Sequence, residues 1–212
     1  MINVTILDYG IGNLMSVGRA FEHIGATVKI TQDPKVAIEA DRLILPGVGA
    51  FANAMASLRQ AGFVDVIPHI IQKKRPLLGI CLGMQMLFDT SEEFGHTEGL
   101  GLIPGVVQRL PDTRVDGTPH KLPHINWASL TPSDERTAFS APIMSGILPG
   151  AEFYFIHSFT AYLEDAYRVA DTSYGGHRVA GVVQKDLVIG CQFHPEKSGP
   201  HGLHFLKNFL AI

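Results

Sequence analysis

Cysteine is scarce in this sequence: Cys81 and Cys191 are the only two among 212 residues. Two thiols cannot build a disulfide framework, and so few of them suit a reducing compartment. Charge is sparse as well. Charged residues make up 17% of the chain, and 17 Lys and Arg stand against 20 Asp and Glu, for a net charge of −3. That balance leaves no basic footprint for nucleic acid. No apolar run reaches the roughly 20 residues that a membrane-spanning helix needs. The ten histidines include no His-Glu-x-x-His and have no Cys-x-x-Cys beside them, so no metal site is expected. The start, Met1-Ile2-Asn3-Val4, lacks a basic, apolar, cleavable leader. No internal repeat, low-complexity segment or domain boundary is visible. A soluble, cytoplasmic, single-domain protein over residues 1–212 is expected, with no nucleic-acid or membrane partner.

What the chain does have is alternation. Residues 3–7 form a short apolar run. Leu14, Val17, Phe21 and Ile24 then fall on one helical face, and Gly25 stops the helix. Strands are predicted at residues 27–30, 42–45 and 76–80. Between them lie a short helix from Pro34 and helices near residues 50–59 and 64–73. This βα alternation predicts an α/β fold with a doubly wound, mostly parallel sheet of flavodoxin-like type. Sites in such sheets lie at the carboxyl ends of the strands. The second half is less regular and predicts additional antiparallel strands, near residues 106–110, 127–130, 153–157, 168–172, 179–184 and 188–193. A last helix, residues 201–210, is expected to bury Leu203, Leu206 and Leu210. Gly10-x-Gly12 after the first strand has Met15 at the third glycine position of a dinucleotide fingerprint, so no such cofactor is expected. His120 and His124 are separated by a helix-breaking Pro123, and His201 and His204 read as a solvated helix face. His157 fits either a satisfied core histidine or a pocket wall.

The chemistry concentrates in three places. Cys81 sits in Gly79-Ile80-Cys81-Leu82-Gly83, between an apolar strand and an apolar stretch from Met84 to Phe88. That is the context in which a nucleophile is held on a sharp strand–turn–helix elbow. The glycines relieve crowding at the turn, and the N-terminus of the following helix favours a thiolate. A small buried cysteine would fit the same pentapeptide. His194-Pro195-Glu196 follows a second strand-like run. In an extended segment His194 and Glu196 project to the same side, so Glu196 is placed to fix the imidazole tautomer while His194 faces Cys81. The third place is Leu45-Pro46-Gly47-Val48-Gly49, at the end of the third strand. An acyl-transfer site needs backbone donors aimed at the developing oxyanion. The Leu82 N–H and the Val48 N–H, the latter between two glycines, are the candidates. An ordinary Pro-Gly turn is the other reading of the loop.

Together these elements resemble the triad-type, class I glutamine amidotransferases. Asp8–Asn13, Pro46–Gly49, Lys121–His124 with Trp127, Tyr154–Ser158 and Gln192–Ser198 resemble, within that family, the glutaminase subunits of imidazole glycerol phosphate synthase. The matches run from the first strand to the last helix. Ile125-Asn126, Ala128 and Phe159 depart from the usual pattern, all outside the triad. The resemblance implies hydrolysis of L-glutamine to glutamate and ammonia through a γ-glutamyl thioester on Cys81, with His194 and Glu196 completing the triad and no cofactor. It implies glutamine contacts at Gly47, Gly49, Gln85 and Ser158. It also implies a heterodimer with a (β/α)8-barrel cyclase, which uses the ammonia on a phosphoribosyl-formimino-carboxamide ribonucleotide in histidine biosynthesis. Asn13, Trp127 and Lys197 are the expected docking residues. Two other readings stay open on the residues alone. One is a stand-alone γ-glutamyl hydrolase or peptidase; the other is a non-catalytic, flavodoxin-like redox module.

Overall fold

The computed structural model describes residues 2–133 and 137–212. Four short apolar segments set the centre of the molecule: β1 (Asn3–Leu7), β2 (Thr27–Thr31), β3 (Leu43–Gly47) and β4 (Leu77–Cys81). They pair in parallel in the order β2-β1-β3-β4. Parallel pairing needs crossovers, and α1 (Leu14–His23), α2 (Pro34–Ala37), α3 (Phe51–Gln60) and α4 (Phe63–Gln72) supply them. After β4 the chain makes one turn of helix, α5 (Leu82–Gln85). It continues through β5 (Phe88–Ser91), β6 (Thr97–Glu98) and β7 (Ile103–Arg109), then β8 (His124–Ser129) and β9 (Thr131–Pro132). The rest is β10 (Glu152–His157), β11 (Phe159–Tyr162), β12 (Arg168–Tyr174), β13 (His177–Lys185), β14 (Val188–Cys191) and α6 (Gly199–Ala211).

The main sheet has eight strands in the order β2-β1-β3-β4-β14-β13-β12-β9. β14 returns to pair in parallel with β4, and β13, β12 and β9 extend the sheet antiparallel. Its strands alternate between two cores. Val4, Ile6, Ile44, Leu78, Ile80 and Ile189 point to the face covered by α1 and α6, where Phe21, Phe205 and Phe209 pack. Leu7, Leu43, Leu45, Leu77 and Val188 point to the opposite face, under Phe51, Leu58, Phe63 and Ile67 of α3 and α4. Burial on both faces is why these strands read as continuous apolar runs rather than as alternating ones. A second sheet, β11-β7-β5-β6, meets the main sheet where β11 packs near β13, and the antiparallel pair β8–β10 meets it where β8 packs near β12.

The elbow helix is a single turn that ends at Gln85, so the apolar stretch from Met84 to Phe88 is helical only at its start. The carbonyls of Met86, Leu87 and Phe88 are taken by the N–H groups of residues 100–103, and those bonds replace the helical ones. β8 starts at His124 rather than at Trp127, paired residue for residue with β10. In α6, Leu203 is half-buried, and Phe205 and Phe209 fill the core instead. Cys191 is fully buried in β14, as expected for a core residue, and burial pushes its thiol up.

Candidate active site

Cys81 ends β4 with φ 55° and ψ −111°, a left-handed conformation that an L-residue adopts only under constraint. The constraint comes from glycines packed against each other. A Cβ on Gly79 would come within 2.6 Å of the Gly83 carbonyl oxygen, and one on Gly47 within 2.8 Å of the Gly83 nitrogen. A Cβ on Gly83 would overlap the Leu45 carbonyl of β3. The elbow is therefore wedged against the neighbouring strand, where Gly47 pairs with Cys81. Because α5 is a single turn, its dipole is weaker than a full helix would give, and the free N–H groups at Leu82 and Gly83 matter more than the expected macrodipole.

His194 lies just past β14, the strand beside β4. Its N–H donates to the Tyr154 carbonyl at 2.9 Å, and its own carbonyl accepts from Ser198 Oγ at 2.6 Å, which fixes the backbone. Nδ1 meets Glu196 Oε1 at 2.8 Å. Nδ1 being engaged, the second ring nitrogen is left for Cys81, whose Sγ lies 3.9 Å from both the Ile156 carbonyl oxygen and Gln192 Nε2. The expected extended stretch is corrected here: residues 195–197 form a 3-10 turn, and the turn brings Glu196 back under His194. Burial opposes a charged imidazole, but the hydrogen bonds to Cys81 and Glu196 and their charges outweigh it and lift His194 to about 10. Oε2 of Glu196 is buried without a partner, so the carboxylate has no competing donor to His194.

Cys81 and His194 border a cavity of about 370 Å³, lined also by Val48, Gly49, Leu82, Gln85, Ser158, Glu93 and Phe94. A cavity of about 590 Å³ beside Trp127 and Arg178 is larger but has no cysteine among the described residues of its wall. Gly47 lies beneath the smaller cavity rather than on its wall, packed on Gly83 and the Tyr9 hydroxyl. Tyr9 donates to the Pro46 carbonyl at 2.5 Å, so the first half of the Pro46–Gly49 loop is pinned. Burial, with the charge of Cys81, pushes the Tyr9 phenol up and keeps it a neutral donor. The second half is freer: Val48 is 42% exposed and Gly49 has φ 90°. Gln85 Nε2 donates to the Phe159 carbonyl at 3.0 Å and to Gln192 Oε1 at 2.9 Å.

The class-I glutamine amidotransferase model matches residues 5–212 of this sequence. The chain belongs to that family. Within it, the imidazole glycerol phosphate synthase subunit HisH 1 of Legionella pneumophila (strain Lens) is 46% identical over 100% of both chains. The HisH subunit of Geobacter metallireducens is 47% identical, covering 99% of this chain and 98% of its own. The chain is thus a glutamine amidotransferase of the HisH branch. A solved glutamine amidotransferase that is 19% identical superposes with a TM-score of 0.72 over 99% of both chains, which shows the shared fold.

In this amidotransferase the expected docking residues are all exposed. Trp127 packs edge-on against Tyr154, 6.1 Å between ring centroids, and Lys197 Nζ lies 6.0 Å above the same Tyr154 ring. Asn13 stands apart from that group, preceding α1 at the carboxyl end of β1. No helix among the described residues is long and apolar enough to cross a membrane. Sequence reasoning missed Glu93 and Phe94, and passed over Tyr9 except as part of a motif. Glu93 is buried, and its Oε2 accepts from the Phe51 N–H at the start of α3 at 2.6 Å. Its partner is 42 residues away, so no local pattern marks it.

His157 turns out to be both a wall and a core residue. It lines the cavity, donates from Nδ1 to the Phe159 carbonyl at 2.8 Å, and accepts at Nε2 from His124 Nδ1 at 3.1 Å. Burial pushes His157 down to about 3 and His124 down to about 4. Both are neutral in the fold, whereas the unfolded chain protonates them near 6.5. The unfolded state therefore binds more protons below that value, and stability falls as pH drops from 6.5 toward 4. His157→Asn, which keeps a donor for Phe159, is expected to lessen the drop in melting temperature between pH 7 and pH 5. An unchanged drop would remove the histidine pair from the acid response.

Proposed function

We propose that this amidotransferase hydrolyses L-glutamine to glutamate and ammonia through Cys81, His194 and Glu196, and passes the ammonia to a cyclase. One observation carries the reading: a strained thiol shares its cavity with an imidazole whose Nδ1 is held at 2.8 Å by a buried carboxylate. His194 takes the thiol proton, and the sulfur attacks the side-chain amide carbon. The N–H groups of Leu82 and Val48 receive the oxyanion; one such donor is worth about 10²–10³ in rate. The imidazolium, steadied by Glu196, gives its proton to the departing ammonia. Water, deprotonated by His194, then attacks the γ-glutamyl thioester, releasing glutamate and restoring the thiol. Gln85, Gly49 and Ser158 line the substrate's path, and the Glu93 carboxylate is the group suited to its α-ammonium. Gly47 supports the loop from below.

Ammonia released into water is mostly protonated and loses its nucleophilicity, so direct transfer to an acceptor is needed. We place that acceptor as a (β/α)8-barrel cyclase in a heterodimer, docked at Asn13, Trp127 and Lys197, making imidazole glycerol phosphate in the cytoplasm. The similarity to HisH subunits over the whole chain supports this, as does the class-I glutamine amidotransferase match over residues 5–212. Because Tyr9 pins only the Pro46 end of the loop, Val48 is free to reorient when the partner engages. Ammonia release from glutamine is expected to be slow in the isolated chain and to rise sharply with the cyclase and its nucleotide. Equal rates in both conditions would contradict the proposal.

A further inference from the structure

The amino ends of β4 and β14, opposite the end of β4 that carries Cys81, border a cavity of about 790 Å³. It is larger than the cavity at Cys81 and the one beside Trp127. Ile71, Leu102 and Leu187 supply apolar wall, and none of the three is fully buried. Lys74, Arg75 and Lys185 supply three cations, against the single carboxylate of Asp186. That is a surplus of two positive charges in a chain whose net charge is −3. Among the described residues, no carboxylate forms an ion pair with any of the three cations.

Each cation is tied down by the fold. Arg75 is half-buried, and its Nη1 donates to the Ala40 carbonyl at 2.8 Å and to the Ile38 carbonyl at 3.3 Å. Lys185 Nζ lies 5.8 Å from the centroid of the Tyr167 ring. Lys74 is held by the end of α4. Its N–H donates to the Ile71 carbonyl at 2.9 Å, and the Arg75 N–H donates to the Ile70 carbonyl at 3.0 Å. That pairing closes a helix through one left-handed residue, which is usually glycine. Here it is a lysine, with φ 51°. Lys73, one residue earlier, already answers the negative end of the helix, so the dipole does not call for a second lysine under strain. The strain holds a cation at the cavity's edge. A bare anion would leave the apolar wall uncovered, and a neutral apolar molecule would leave the cations unmatched. A guanidinium with two ammonium groups suits the oxygens of a phosphate.

We propose that this cavity is a second ligand site, separate from the Cys81 cavity, for a small organic phosphate monoester with an apolar body. It is tested by titration calorimetry of the full chain with 1-naphthyl phosphate, 1-naphthol and inorganic phosphate. The ester carries both parts, and the other two carry one each. Naphthyl phosphate is expected to saturate one site per chain and to bind at least about 10-fold more tightly than naphthol or inorganic phosphate, the range of a hydrogen bond to a charged group. The double variant Lys74→Gly with Lys185→Gln loses at least about 10-fold in that affinity, and each single variant loses part of it. Glycine fits the left-handed position, so Lys74→Gly keeps the fold. Lys73→Gln, which removes a neighbouring cation that does not line the cavity, keeps the wild-type affinity. No saturable binding of naphthyl phosphate, an unchanged affinity in the double variant, or naphthol or phosphate bound as tightly as the ester overturns the proposal.

Discussion

Replacing Cys81 with alanine is expected to lower glutamine hydrolysis by on the order of 10⁵-fold or more, because the triad works as a unit and no second nucleophile stands in its place. Ser158 lines the same cavity, but it does not sit on the strained elbow that presents Cys81. Cys191 is sealed in the core. The fold survives, since alanine meets the same left-handed strain that cysteine already bears at φ 55°. Cys81→Gly goes further: it loses the reaction and relieves the strain, raising stability by up to about 1 kcal/mol. A dead variant that melts higher than wild type is the signature of backbone strain kept for reactivity. Ammonia release and thermal melts on the two variants check this together.

The second large effect is on the fold. Gly83→Ala is expected to destabilise the protein by about 4 kcal/mol or more, because the new methyl overlaps the Leu45 backbone carbonyl. Backbone cannot rotate away as a side chain can, so either β3 moves or the elbow does, and both carry the site. For a chain of this size the loss corresponds to a fall in melting temperature of about 10 °C. Gly10→Ala is the control. Gly10 has φ 83° and open space around its Cβ position, so alanine there meets conformational strain alone, roughly 1 kcal/mol. Similar melting temperatures for the two variants would mean that the elbow is not wedged against β3.

Gly83 also shows where sequence reading stops. Its pentapeptide is legible because a strand, a reactive residue and small flanking residues are contiguous. The reason for glycine is not local: the obstacle is Leu45 on another strand. The parallel half of the fold was readable for the same reason as the elbow, since apolar runs and helical faces alternate along the chain. The start of antiparallel β8, at His124 rather than Trp127, is not legible because its largely exposed pattern carries little period-2 contrast. The His194–Glu196 pairing was anticipated, but through alternation in a strand; a 3-10 turn makes the contact instead. Tyr9, Glu93 and Phe94 escaped because the groups that give them meaning (Pro46, Phe51, Phe159) are distant in sequence.

Activation of Cys81 by His194 is measured by the rate at which a glutamine-mimicking electrophile labels the protein, followed by intact mass and peptide mapping, in wild type and His194→Asn. One adduct per chain is expected, on Cys81 alone, with labelling slowed at least about 10²-fold in the variant, the range of a lost general base. Equal labelling rates in the two proteins, or an adduct on Cys191, would contradict it.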